Sequence, residues 1–137
     1  MPRLQFEVKT KPVGKARPRA GLHGFYTPKK TADYESLIAA EAAIAMRKAG
    51  LSVTDKPLSV TLRFTFEPPK SWTKAARMAA LAGMQHTSKP DGDNLEKAVL
   101  DAMNVVVYRD DSLVWQSTRV KVYGAENSVF VSLLGVS

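Results

Sequence analysis

From Pro57 to Pro69 the chain reads PLSVTLRFTFEPP, with Leu58, Val60, Leu62, Phe64 and Phe66 alternating against Ser59, Thr61, Arg63 and Thr65. A period of two held over this length is a strand with one buried face, and Pro68-Pro69, which cannot donate to a ladder, ends it. Such a strand needs a sheet covered by other elements on its apolar side. Upstream, Thr31 to Lys48 carries Tyr34, Leu37, Ile38, Ala42, Ile44 and Ala45 at helical spacing and stops at Gly50. LQFEVKT, from Leu4, reads as a first strand. Downstream, SWTKAARMAALAG predicts a short helix capped by Ser71 or Thr73, and MQHTSKP a loop. A further helix runs from Asn94 to Met103, with Leu95, Ala98, Val99 and Ala102 on one face and Asn104 closing it in the left-handed conformation. Two strands, 112–123 and 128–134, flank GAEN, which reads as a hairpin turn. With no repeat or linker, the expectation is one compact α+β domain over residues 1–137.

The 137 residues, 45% of them hydrophobic, suffice for one domain with a buried core. No run approaches the roughly 18–20 apolar residues of a membrane span, and MPRLQFEVKT lacks an apolar targeting segment, so no membrane association and a cytoplasmic location are expected. The absence of cysteine excludes disulfides and thiolate metal sites. The net charge of +7 is local: residues 1–30 hold eight bases against Glu7, while the remainder balances 12 bases with 12 acids. Between Lys11 and Lys30, KPVGKARPRAGLHGFYTPKK is too rich in Pro, Gly and bases for regular structure and predicts a long basic loop or an interrupted strand. Lys15, Arg17, Arg19, Lys29 and Lys30, with Lys89 further on, are the candidate contacts to a phosphate backbone.

Against this basic background, KPDGDNLEKAVLDAM (Lys89 to Met103) and YRDDS (Tyr108 to Ser112) gather Asp91, Asp93, Asp110 and Asp111 around one short helix. Asp93 suits an N-cap, with Glu96 completing a capping box. That leaves three carboxylates without a role. In an extended segment Asp91 and Asp93 project to one side, and two adjacent carboxylates repel unless a cation joins them. The helix is only about 15 Å long, so the chain can return beside it with a third carboxylate. Three oxygen ligands suit Mg²⁺ or Mn²⁺, and the matching chemistry is phosphodiester hydrolysis by an activated water. Lys97, one turn after Asp93, either holds a phosphate oxygen or pairs with Asp93 or Asp101 on a solvated face. Asp101 reads as a surface charge, Asp110 as a turn residue, and His86 as a polar loop residue or DNA contact. Trp72 and Trp115 read as packing residues that can also stack on unpaired bases.

The run HTSKPDGDNLEKAVLDAMN followed by YRDDS, with GKARPR, YTPKK and PPKSW before it, resembles the RusA-type Holliday junction resolvases, small bacterial and prophage endodeoxyribonucleases. The resemblance implies that Asp91, Asp93 and Asp111 bind a catalytic Mg²⁺, for which Mn²⁺ can substitute, and that Lys97 is the essential lysine. It also implies a homodimer with a mixed β-sheet packed by helices, acting in DNA recombination and repair on a four-way junction. Paired nicks in a two-fold substrate call for two sites related by a two-fold axis. Two positions depart from the pattern: Val105 stands where glycine often follows the helix, and Leu113 where a polar residue is common after D-D-S. Both bear on how Asp111 returns towards Asp91.

Two other readings compete. One keeps the nuclease but changes the substrate to flaps or forks. The other is a non-catalytic DNA-binding module whose aspartates only cap and close a helix. Phosphate binding alone gains nothing from four nearby carboxylates, which repel DNA, whereas a metal-dependent nuclease requires them.

Overall fold

The computed structural model describes residues 3–136. In chain order its elements are β1 (Arg3–Val8), β2 (Arg19–Gly21), β3 (Gly24–Tyr26), α1 (Lys29–Ala49), β4 (Leu58–Phe66), α2 (Lys74–Leu81), α3 (Gly92–Ala102), a 3-10 turn (Asp111–Leu113), β5 (Val114–Tyr123) and β6 (Ser128–Leu134). The α+β expectation holds. The central sheet is mixed, with order β1-β6-β4-β5, and the basic segment is loop over residues 10–18 followed by a separate two-stranded ribbon of the short strands β2 and β3, as the loop or interrupted strand expected of it.

β4 buries the five apolar side chains its alternation assigns to one face. β6 runs antiparallel to it with Val129, Val131 and Leu133 opposite Phe64, Leu62 and Val60, and β1 adds Leu4 and Val8 on the far side of β6. β5 lies parallel to β4 at the other edge. The expected hairpin at GAEN therefore does not form. β5 and β6 are separated by β4, and the GAEN segment passes over its end, where Gly124 N donates to Phe66 O at 3.0 Å and Glu67 N to Asn127 Oδ1 at 2.8 Å. The physical reason is visible in the two strands. β6 presents a row of fully buried aliphatic side chains and takes a central place, whereas β5 places Ser117, Arg119 and Lys121 in register with Val60, Leu62 and Phe64, so its core-side row is polar.

α1 packs on β1 and α3 through Thr31, Tyr34, Ile38, Ala42 and Met46. This stripe is narrower than the sequence pattern suggests: Leu37 and Ile44 flank it and are each 39% exposed. Gly50, at φ 66°, closes the helix in a Schellman arrangement, with Gly50 N donating to Arg47 O and Leu51 N to Met46 O. α2 is capped by Thr73, whose hydroxyl accepts from Ala76 N at 3.2 Å. α3 buries Leu95, Ala98, Val99 and Ala102, the face expected of it.

Both ends of α3 differ from expectation. It begins at Gly92, with Leu95 N bonded to Asp91 O at 3.0 Å, so Asp91 is the N-cap position, and no side chain caps the helix. Asp93 lies inside the first turn, and the expected Asp93–Glu96 capping box is not formed; Glu96 instead turns to β5. Asn104 does not take the left-handed conformation either. That falls to Val105, at φ 61°, while Val107 and Tyr108 bury behind it and Tyr108 Oη donates to Leu100 O at 2.7 Å.

Candidate functional site

The segment leading into α3 is held from below by the edge strand. Lys121 Nζ donates to Ser88 O at 2.7 Å and to the carbonyl oxygen of Pro90, and Arg119 and Ser117 reach Glu96 at 3.4 and 3.1 Å. Burial pulls Lys121 below the ordinary lysine value; Asp91 opposes this, and Lys89 and Arg119 add to it. A side chain at Gly92 would put a Cβ 2.5 Å from Arg119 Nε, so glycine lets Arg119 cross the start of the helix. From above, Gly14 sits against Pro90 and Asn94, and Lys15 N donates to Asn94 O at 2.9 Å. The polar row of β5 and the basic N-terminal segment thus clamp the same few residues.

Asp91 is exposed at this clamp. Its Oδ1 accepts from Lys89 Nζ at 2.9 Å, and that contact holds its carboxyl below the usual range. Asp93 and Lys97 are exposed on the helix, and Asp93, Lys97 and Asp101 share one face at four-residue spacing. Lys97 Nζ lies 3.9 Å from Asp101 Oδ2. Asp111 arrives beside Asp101: burial pushes its carboxyl up, hydrogen bonding with Asp101 and the charge of Asp110 add to this, and Lys97 offsets part of it. Ten residues of helix put Asp101 about 15 Å from Asp91. The returning carboxylate therefore meets the far end of the helix rather than the Asp91–Asp93 pair. Asp110 is a turn residue, its Oδ2 accepting from Ser112 N at 3.0 Å.

Among the described residues no three His, Asp or Glu side chains are gathered at a spacing that holds a metal ion. The donor set still fits a hard divalent cation. Mg²⁺ keeps several waters and is commonly held by one or two carboxylates plus substrate phosphate, and exposed Asp91 and Asp93 offer that much without a closed cage.

The bases expected to contact phosphate divide into groups. Lys15, Arg19, Lys30 and Lys89 line a cleft of about 840 Å³ that opens beside Asp91, with Phe66, Trp72, His86 and Tyr123 on its floor. Lys15 is 19% exposed and its ammonium is committed to Glu35 at 2.8 Å and Asp101 at 3.3 Å. Lys29 pairs with Asp33 and, like Arg17, does not line the cleft. Asp93, Lys97 and Asp111 lie outside it, so the cleft meets the carboxylates only at Asp91. Sequence reasoning missed Lys121, Arg119 and Glu96. The available signal was the polar register at 117, 119 and 121, in a strand whose apolar valines fall on the other face.

The cleft is lined by several bases and, of the candidate ligands, by Asp91 alone. The chain belongs to the RusA family of endodeoxyribonucleases, whose family model, endodeoxyribonuclease RusA, matches residues 9–133. A curated relative from Bacillus subtilis (strain 168), the uncharacterized protein YqaN, is 28% identical over 141 residues, covering 98% of this chain and 97% of that one. No helix of the described residues is long and apolar enough to cross a membrane.

Proposed function

We propose that the protein is a Mg²⁺-dependent endonuclease that resolves four-way DNA junctions as a homodimer, with Asp91, Asp93, Asp111 and Lys97 as its catalytic residues. The observation that carries this reading is the position of Asp91, an exposed carboxylate at the acidic edge of a basic cleft, within a chain of an endodeoxyribonuclease family. A divalent cation bound at these carboxylates supplies an activated water and offsets charge building on the phosphorus oxygens. The chain's residues do the rest. Arg19, Lys30 and Lys89 would hold the backbone in the cleft, and Lys89, paired with Asp91 at 2.9 Å, lies where a phosphate beside that carboxylate would be. Lys97, exposed between the two carboxylate groups, holds a non-bridging oxygen of the scissile phosphate. Asp91, Asp93 and Asp111 are the residues that would hold the cation, and Asp111 sits beside Asp101, whose charge disfavours its ionised form.

The test is direct. A labelled four-way junction, a linear duplex of the same sequence and a flap are each incubated with protein in Mg²⁺, Mn²⁺ or EDTA. The expected result is paired, symmetrical nicking of the junction alone, dependent on the metal. Equal cutting of the flap would replace the substrate, and no cutting of any DNA with either metal would reject the nuclease.

A further inference from the structure

The cleft beside Asp91 is lined by four aromatic rings, of which Phe66, His86 and Tyr123 are buried and Trp72 is partly exposed on top of them. Phe66 and His86 stack with ring centroids 3.9 Å apart and planes at 15°; Tyr123 lies 4.9 Å from His86, and Trp72 5.4 Å from Tyr123. Phe66 and Tyr123 are register partners at the carboxyl ends of the parallel strands β4 and β5, so the sheet fixes this wall rigidly. His86 is 8% exposed, and its Nδ1 is buried with no hydrogen-bond partner, a costly arrangement unless something else compensates. Burial, aided by Lys121, lowers the affinity of its ring for a proton. Around the mouth stand Lys11, Arg19, Lys30 and Lys89.

A partly exposed indole on a rigid aromatic backing suits a planar π-ligand, and the bases lining the cleft suit an anion attached to it; a nucleotide has both. The volume of about 840 Å³ is within the range of sites that enclose a small ligand. We infer that the cleft seats one unstacked DNA base, belonging to the nucleotide next to the phosphate at Asp91, against Trp72. This inference rests on the proposed junction-binding function and adds the means by which the enzyme selects where along the strand it cuts. An intact duplex keeps its bases stacked and cannot fill the seat, whereas strands at an exchange point open at lower cost.

The experiment uses full-length protein in EDTA, where no DNA is cut. Junction affinity is measured by fluorescence anisotropy for the intact junction and for junctions carrying an abasic site at each nucleotide around the exchange point in turn. The measurements are made for the wild type, Trp72→Ala and Trp72→Leu. For the wild type, one abasic position is expected to weaken binding about fivefold to a hundredfold, the range for losing one base–aromatic stack. Trp72→Ala should cause a similar loss on the intact junction and little more on that abasic junction, because both changes remove the same contact. Trp72→Leu preserves apolar packing around Tyr123 and guards against a folding defect; it should show the same coupling. Losses that add at every position, or an abasic series that never differs from the intact junction, would overturn the base seat. Cleavage of the intact junction by wild-type protein in Mg²⁺ is scored separately: coupling without cleavage keeps the seat and rejects the nuclease, and cleavage without coupling does the reverse.

Discussion

Lys121 Nζ donates to the carbonyl oxygen of Pro90, directly behind the residue that carries the Asp91 carboxylate. An edge strand on the sheet thereby sets the height of the segment entering α3. Lys121→Met keeps the aliphatic stem and removes the donor to the Ser88 and Pro90 carbonyls, at a cost of about 0.5–1.5 kcal/mol. Cleavage should fall about tenfold, with a higher Mg²⁺ concentration needed for half-maximal rate. Single-turnover rates across a Mg²⁺ titration check this: an unshifted Mg²⁺ midpoint would mean that Lys121 only steadies the sheet edge.

Asp91→Asn, Asp93→Asn and Asp111→Asn should each abolish cleavage while leaving junction binding equal or tighter, since each removes an anion facing DNA as well as a ligand. Asp111→Asn should also raise the melting temperature, because burial and Asp101 penalise its ionised form. Gel-shift affinity, cleavage and thermal unfolding on the three proteins test the set, and near-wild-type cutting by any one removes that residue from the site.

Lys97 is 3.9 Å from Asp101, an exposed i,i+4 pair worth only a few tenths of a kcal/mol. Loss of that pair alone would hardly alter the rate. As a contact to the scissile phosphate, Lys97→Ala should instead slow single-turnover cleavage by about a hundredfold or more with little change in melting temperature. Lys97→Arg keeps the charge and changes the contact geometry; full activity in this variant would show that charge suffices.

Lys15 separates the structural bases from those available to DNA. Burial lowers its pKa, but its bonds to Glu35 and Asp101 outweigh this and leave it raised above 10.5. Its ion pairs therefore stabilise the fold fully below about pH 10.5 and are lost as pH rises through the higher folded-state value. Lys15→Met should cost roughly 1–3 kcal/mol at neutral pH, a difference from wild type that shrinks in strongly alkaline buffer. The salt dependence of DNA binding should be unchanged by Lys15→Met, whereas Arg19→Ala should lower the log–log slope by about 0.9. Urea melts at several pH values and binding at graded salt concentrations provide both readings.

Val105 holds a left-handed backbone while 74% exposed, so it carries the strain of that conformation with little burial in return. Val105→Gly should stabilise the protein by about 1 kcal/mol, as relief of the left-handed penalty outweighs the entropy glycine adds to the unfolded chain. Chemical denaturation measures it, and a lower midpoint in the glycine variant would contradict the strain.

The strands at 58–66 and 128–134 and the long helix were legible because each carries its own period. Strand order was not, because β5 reverses the usual code: its valines at 120 and 122 fall opposite its register with the core, and the side chains facing α3 are polar. Which of Asp91 and Asp93 begins the helix was also hidden, since both residue types are common N-caps and neither side chain makes a cap bond in the structure. The docking of Asp111 beside Asp101 depends on how Val105 to Tyr108 turn, a conformation that a valine at position 105 does not advertise.

β1 has one neighbour in the sheet, β6, and Val8 pairs with Val129. As the chain leaves the ribosome, its first strand must wait for Ser128–Leu134 before it has any ladder to join, and β4 waits for both of its partners. Asp91 through Asp111 lie in the crossover between β4 and β5 and are clamped by β5 and by the segment around Gly14, so their frame forms only after β5 has paired with β4. Chains still being synthesised carry the carboxylates but no frame to aim them, so a nuclease of this topology becomes competent in one step, after its sheet is complete.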